Sequence, residues 1–149
     1  MKTPTHLRAI LPAGLATALL LTLASPAALA GKGTPPPKLT KKPPPAPAGF
    51  KLGGDAKKGK KVYKKYCTKC HGKKGNGGGL MAKDLKVKPR DFTHPANASR
   101  TDWQLFIAIK QGGKPLGLSD KMTPWKDTLT DREIRDVAAY IRTFHSSKR

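Results

Sequence analysis

Three stretches of the chain repeat apolar residues at helical spacing, and no run alternates convincingly as a strand would. From about Ala56 to Cys70, Gly59, Val62, Tyr63, Tyr66 and Cys70 share one face. Lys57, Lys58, Lys60, Lys61, Lys64 and Lys65 take the remaining positions, and Asp55 stands ahead as an N-cap. A second helix is predicted over Asp102–Gln111. Thr101 and Gln104 have the spacing of a capping box, Gly112 can terminate the helix, and Leu105, Phe106 and Ile109 are its inward candidates. The third has the clearest signals. Thr130 caps it with Glu133 three residues on, and Leu129 and Ile134 form a hydrophobic staple. Ile134, Val137, Ala138, Ile141 and Phe144 make its buried stripe, which should end near Phe144 or His145.

Residues 72–98 and 112–128 are loops rich in Gly, Pro and Lys. Loops this long are unusual in a small domain unless they serve a site. Gly75, Gly77, Gly78 and Gly79 read as a flexible loop. No Lys-Thr pair of a phosphate-binding loop follows them.

The N-terminus differs in kind. Lys2 and Arg8 precede an uncharged apolar stretch over residues 9–24, and Ala28-Leu29-Ala30 offers a small-x-small cleavage pattern. Residues 1–30 therefore read as an export signal cut after Ala30, with a retained membrane anchor as the alternative. Pro12, Gly14, Ser25 and Pro26 interrupt the stretch, against the roughly 20 apolar residues a spanning helix needs. Residues 31–50 are a Pro/Lys-rich linker. Residues 31–49 hold seven prolines and four lysines, with Leu39 the only large apolar side chain. Such a composition favours solvated polyproline II and disorder. Residues 51–149 should form one folded domain.

Charge adds a functional constraint. The chain carries +21, and the part after Ala30 keeps 28 basic against nine acidic residues. A surface of that sign favours acidic protein partners and associates weakly with anionic membrane surfaces. Export argues against nucleic acid as the partner.

The chemistry concentrates in Cys67-Thr68-Lys69-Cys70-His71, the only two cysteines of the chain and the histidine after them. Cys-x-x-Cys-His is the spacing of covalent haem attachment: two thiols for the two vinyl groups, and an imidazole placed to ligate the iron. A local disulfide, a redox dithiol and a metal site are the other readings. The disulfide would close too short a loop to constrain the chain much. The dithiol would be expected in a βαβ setting. Zinc would need further ligands, for which only His94 and His145 remain downstream.

Helix, CTKCH, long loop, helix, methionine-bearing loop and C-terminal helix together resemble the class I cytochrome c family over residues ~50–149. Met122-Thr123-Pro124-Trp125 before the last helix looks like the family's methionine segment, and Pro89–Thr93 like a stretch of small bacterial monohaem members. The resemblance implies an all-α cytochrome c fold, with three main helices and long loops wrapped around one covalent haem c held through Cys67 and Cys70. It implies that Gly59 and Tyr63 pack against Tyr140. It implies iron ligation by His71 and Met122, since Met81 lies only ten residues past His71. His94 is the alternative ligand, and His145 reads as an exposed helix-end residue. The carbonyl that accepts from the axial histidine is often a proline's in the family, which makes Pro89 the candidate here. Trp125 is expected to pack on the haem or in the core.

The function implied is a periplasmic, monomeric one-electron carrier rather than an enzyme. Lys64, Lys65, Lys69, Lys73 and Lys74 would steer it to acidic docking surfaces. The alternatives are an open-site haem protein (enzyme or gas sensor), a haem-bearing subunit of a larger respiratory complex, and a haem-free basic binding module.

Overall fold

The structure is a computed structural model that describes residues 37–146. The export signal and its cleavage site lie outside the described residues. Four helical segments follow in order: α1 (Ala56–Tyr66), α2 (Thr68–His71), α3 (Asp102–Gln111) and α4 (Asp131–Ser146). No strand occurs among the described residues, and none of their helices is long and apolar enough to cross a membrane.

The capping signals act as their chemistry requires. Asp55 accepts from the Lys57 and Lys58 N–H groups, which holds its carboxyl below the usual carboxylate range. Thr101 and Gln104 close a reciprocal capping box on α3, and Thr130 and Glu133 close another on α4. The predicted α3 bounds coincide with the observed ones.

Two helical expectations change. The first helix does not run unbroken to Cys70: Cys67 (φ −105°, ψ −27°) interrupts it, and a single turn, α2, carries the rest of the motif to His71. The Cys67 N–H still donates to the Tyr63 carbonyl at 2.9 Å, and the His71 N–H to the Cys67 carbonyl at 2.9 Å, so the path continues across the break. On α3, Ile107 joins Phe106 and Ile109 in the core, while Leu105 is only half-buried. The long loops also hold short 3₁₀ turns at Leu80–Asp84, Pro95–Ser99 and Lys114–Leu116.

α1 and α4 cross at close range, which Gly59 permits: a Cβ there would lie 1.9 Å from the Asp136 carbonyl oxygen. Beside the crossing, Tyr63 is almost fully buried, with its ring 5.3 Å from Tyr140 and 5.2 Å from Phe144. Its hydroxyl donates to the Gly72 carbonyl at 2.9 Å, so the buried O–H is satisfied. Asp136, also buried, accepts from the Asp55 N–H at 2.7 Å and pairs with Arg132. Ile134, Val137, Ala138 and Ile141 complete the stripe that α4 turns inward.

The described part of the expected linker is not free. Residues 37–44 run along the domain as a strap. The Pro37 carbonyl accepts from Arg90 (3.3 Å) and Arg100 (2.6 Å), and Thr40 Oγ1 donates to the Gly117 carbonyl (3.0 Å). The Lys41 N–H donates to the Leu116 carbonyl (3.3 Å), and Trp103 Nε1 donates to the Pro44 carbonyl (2.7 Å). Leu39 packs against the core. Proline residues have no N–H to pair, but their carbonyls remain good acceptors, and here side chains of the domain use those of Pro37 and Pro44.

Candidate cofactor site

α2 brings Cys67, Cys70 and His71 to one wall of a cleft enclosing about 1110 Å³, open mouth included. Leu85, Val87, Phe92, Leu105, Ile109 and Leu118 contribute apolar lining. Met122 enters from the loop after Lys114–Leu116, a segment far from the motif in sequence. Backbone bonds hold this loop: the Gly113 N–H donates to the Met122 carbonyl at 2.8 Å, and the Trp125 N–H to the Ile109 carbonyl at 3.1 Å. Trp125 lines the cleft 5.2 Å from the Tyr66 ring.

The other sulfur and imidazole candidates are not at this wall. Met81 is 51% exposed and does not line the cleft. His94 caps the Pro95–Ser99 turn, its Nδ1 accepting from the Ala96 N–H at 3.1 Å. His145 is half-buried rather than exposed, beside a smaller cavity with Leu39 and Arg142.

His71 is oriented by two contacts. Its ring stacks on Phe92 at 4.5 Å, and Nδ1–H donates to the Arg90 carbonyl at 3.2 Å. The expected acceptor, Pro89, is therefore replaced by the next residue. The backbone explains the step. The Phe92 N–H donates to the Gly75 carbonyl at 2.7 Å, and Gly77 (φ +74°) lets the glycine loop press on residue 89, where a Cβ would lie 2.4 Å from its oxygen. With the Pro89 carbonyl turned to the loop, that of Arg90 faces the imidazole. The glycine loop itself is tied down, since the Gly77 and Gly79 N–H groups donate to the carbonyls of His71 and Cys70.

A carbonyl only accepts, so Nδ1 carries the proton and Nε2 is left as the lone-pair nitrogen. Burial holds the imidazole down to about 4, against the hydrogen bond to Arg90, so the ring is neutral at pH 7. The same burial, reinforced by Cys70, pushes the Cys67 thiol up to about 12. A redox-active dithiol needs a depressed thiol pKa, so this environment disfavours that reading.

Arg90 lines the cleft together with Lys88 and Lys121. Burial and the neighbouring Arg100 pull its guanidinium down to about 10, still charged at neutral pH. It donates to Asn97 Oδ1 at 3.0 Å as well as to Pro37. Sequence reasoning missed Arg90 and Phe92 as site residues, although both lie in the quoted Pro89–Thr93 stretch.

Two thiols, a neutral imidazole with one free nitrogen, a thioether and a cation, set in apolar walls, fit a covalently held iron porphyrin with acidic side chains. Residues 54–141 match the family model of cytochrome c oxidase, cbb3-type, subunit III, over more than half of the chain. The chain belongs to this family of c-type cytochrome domains. The all-α cytochrome c fold expected of it is the one observed. Membership implies a covalent haem c and a role in electron transfer. The chain is also similar to a protein of the Kuenenia stuttgartiensis reducing HAO-like protein complex Kustc0457/Kustc0458. There the identity is 31%, over 64% of this cytochrome and 46% of that chain, with a TM-score of 0.50. This cytochrome thus spans about half the length of that chain. The KustC0563 c-type cytochrome is 28% identical over 58% of this chain and 95% of its own, with a TM-score of 0.48. No curated protein matches the chain.

Proposed function

We propose that this cytochrome is an exported, periplasmic one-electron carrier with a single haem c. Cys67 and Cys70 would form the thioethers, and His71 Nε2 and Met122 Sδ the axial bonds. The observation that carries the reading is the convergence of these four residues on one cleft, with Met122 drawn from 51 residues beyond His71. Bound there, the haem supplies a one-electron couple between ferric and ferrous iron. The protein's part is to fix the ligands and exclude water. Phe92 and the Arg90 carbonyl set the plane and tautomer of His71. The soft thioether of Met122 favours the ferrous state. Arg90, and Lys88 at the lining, offer charge to the haem carboxylates.

Partner docking falls to the surface beside the motif. Leu80 (79% exposed), Met81 and Val87 are exposed apolar side chains of the loop after the motif, and Val87 also lines the cleft. Exposed Lys69, Lys73, Lys74, Lys83 and Lys86 lie near them in the chain. Exposed apolar side chains interspersed with lysines suit a redox partner whose docking face combines apolar groups with carboxylates.

The test is an optical one. Protein made with the haem-attachment machinery should give a c-type pyridine haemochrome, and its ferrous form should bind carbon monoxide only slowly. A colourless protein would remove the reading, and rapid carbon monoxide binding would replace it by an open iron site. A second reading, a haem-bearing subunit of a larger assembly, is favoured by the family's description and by the complex to which one similar structure belongs. Native mass of the protein taken from its own membranes and periplasm separates the two.

A further inference from the structure

We infer that the strap of residues 37–44 is a working part of the cofactor site, a clasp that holds Arg90 against the cleft and keeps water from that rim. The inference rests on the proposal that haem occupies the cleft. Pro37 itself lines the cleft, and its carbonyl is shared by two guanidinium groups, those of Arg90 and Arg100. Two like charges brought together repel, and a common acceptor between them offsets the repulsion. Arg90 has one other side-chain acceptor, Asn97 Oδ1, whose amide nitrogen is committed to the Asp91 and His94 carbonyls. Without the strap, the Arg90 guanidinium would keep half of its hydrogen bonds beside an unshielded Arg100.

The strap is positioned from outside the cleft. Thr40 and the Lys41 N–H fasten it to the Leu116–Gly117 turn, Trp103 fastens Pro44, and Leu39 packs between. None of these residues lines the main cleft. The backbone at Arg90 is held independently by the Gly75–Phe92 bond, so loosening the strap leaves the acceptor of His71 in place. What changes is water access and the position of a positive charge. Both a nearby cation and the exclusion of water disfavour ferric iron, which carries one more positive charge than ferrous. Arg90 is thus a positioning residue, and the strap sets its position.

The test uses the full chain as holoprotein carrying Thr40→Val and Trp103→Phe together, with Leu39→Ser added in a second variant. All three changes are neutral in charge. Amide exchange at Lys41 should accelerate, and the ferric-to-ferrous ratio at a fixed applied potential should rise by roughly tenfold, a downward shift of about 59 mV for one electron. Lys57→Gln serves as the control and should move neither. The inference is overturned if Lys41 exchange accelerates while the potential stays fixed, or if Lys41 already exchanges freely in the unsubstituted protein. A colourless unsubstituted protein would instead remove the cofactor reading beneath it. If the second variant fails to fold, the first alone decides.

Discussion

Gly59→Ala sets two effects against each other. Helix propensity favours alanine by about 1 kcal/mol in a helix interior. The crossing opposes it. The new Cβ would lie 1.9 Å from the Asp136 carbonyl oxygen and 2.8 Å from the Val137 nitrogen, both backbone atoms of α4. No rotamer change relieves a clash with backbone. Local retreat is also blocked, because Gly54, just ahead of α1, sits nearly as tightly against the Arg135 carbonyl. Overpacking typically costs ~1–3 kcal/mol, and a clash between two backbones belongs at or above the upper end. The expected net is a loss of about 2 kcal/mol, taken as ~3 from the clash less ~1 from propensity. For a domain of this size that lowers the melting temperature by about 10 °C. Denaturant unfolding of the purified protein, with Lys60→Ala as an exposed control expected within ~0.5 kcal/mol, measures it. An unchanged or raised midpoint in the alanine variant would refute the packing argument and show that α1 can slide on α4 at little cost.

Tyr63→Phe removes the hydroxyl's bond to the Gly72 carbonyl, which keeps its bond from the Gly75 N–H, and should destabilise by ~0.5–1.5 kcal/mol in the same unfolding experiment. Met122→Ala should open the iron to carbon monoxide in the ferrous protein, whereas Met81→Ala should leave the spectrum and the binding rate unchanged, and the reverse pattern would exchange their roles. Glu133 has a folded pKa held below its usual 4.5 by hydrogen bonds from the Thr130 N–H and hydroxyl. Its contribution is therefore complete above that usual value and lost as pH falls through the lower folded one. Glu133→Gln, which preserves the capping box, should flatten this part of the acid-unfolding curve. Electron-transfer rate with an acidic partner should fall steeply as salt rises, and a flat dependence would leave the lysines as solubilising charge alone.

The helices were legible because each carries its own local instructions. Thr101 with Gln104 and Thr130 with Glu133 specify start sites by side-chain reach, and the α4 stripe specifies a face. That Met122 would reach the cleft and Met81 would not was legible too, since a methionine ten residues after His71 sits on the turn that leaves the motif. The features that were not legible depend on distant partners. The interruption at Cys67 has no local breaker residue. The choice of Arg90 over Pro89 turns on how a glycine loop packs against the backbone. The strap reads as disorder because composition counts apolar side chains, whereas it is held mainly by carbonyls meeting Arg100, Trp103 and Arg90.

The α1–α4 crossing also bears on the order in which the chain assembles. Asp55 and Asp136 are 81 residues apart, so this tight contact is among the costliest in loop-closure entropy. Closing it turns the intervening chain into one large ring, and the segments bearing Arg90, Phe92 and Met122 all lie on that ring. Contacts of such long sequence separation are slow to form. A group tethered at Cys67, near the base of the ring, would be in place before the ring tightens. The walls would then settle around an occupant already present, and the rate at which the two ends meet would govern how long the iron stays open to other ligands.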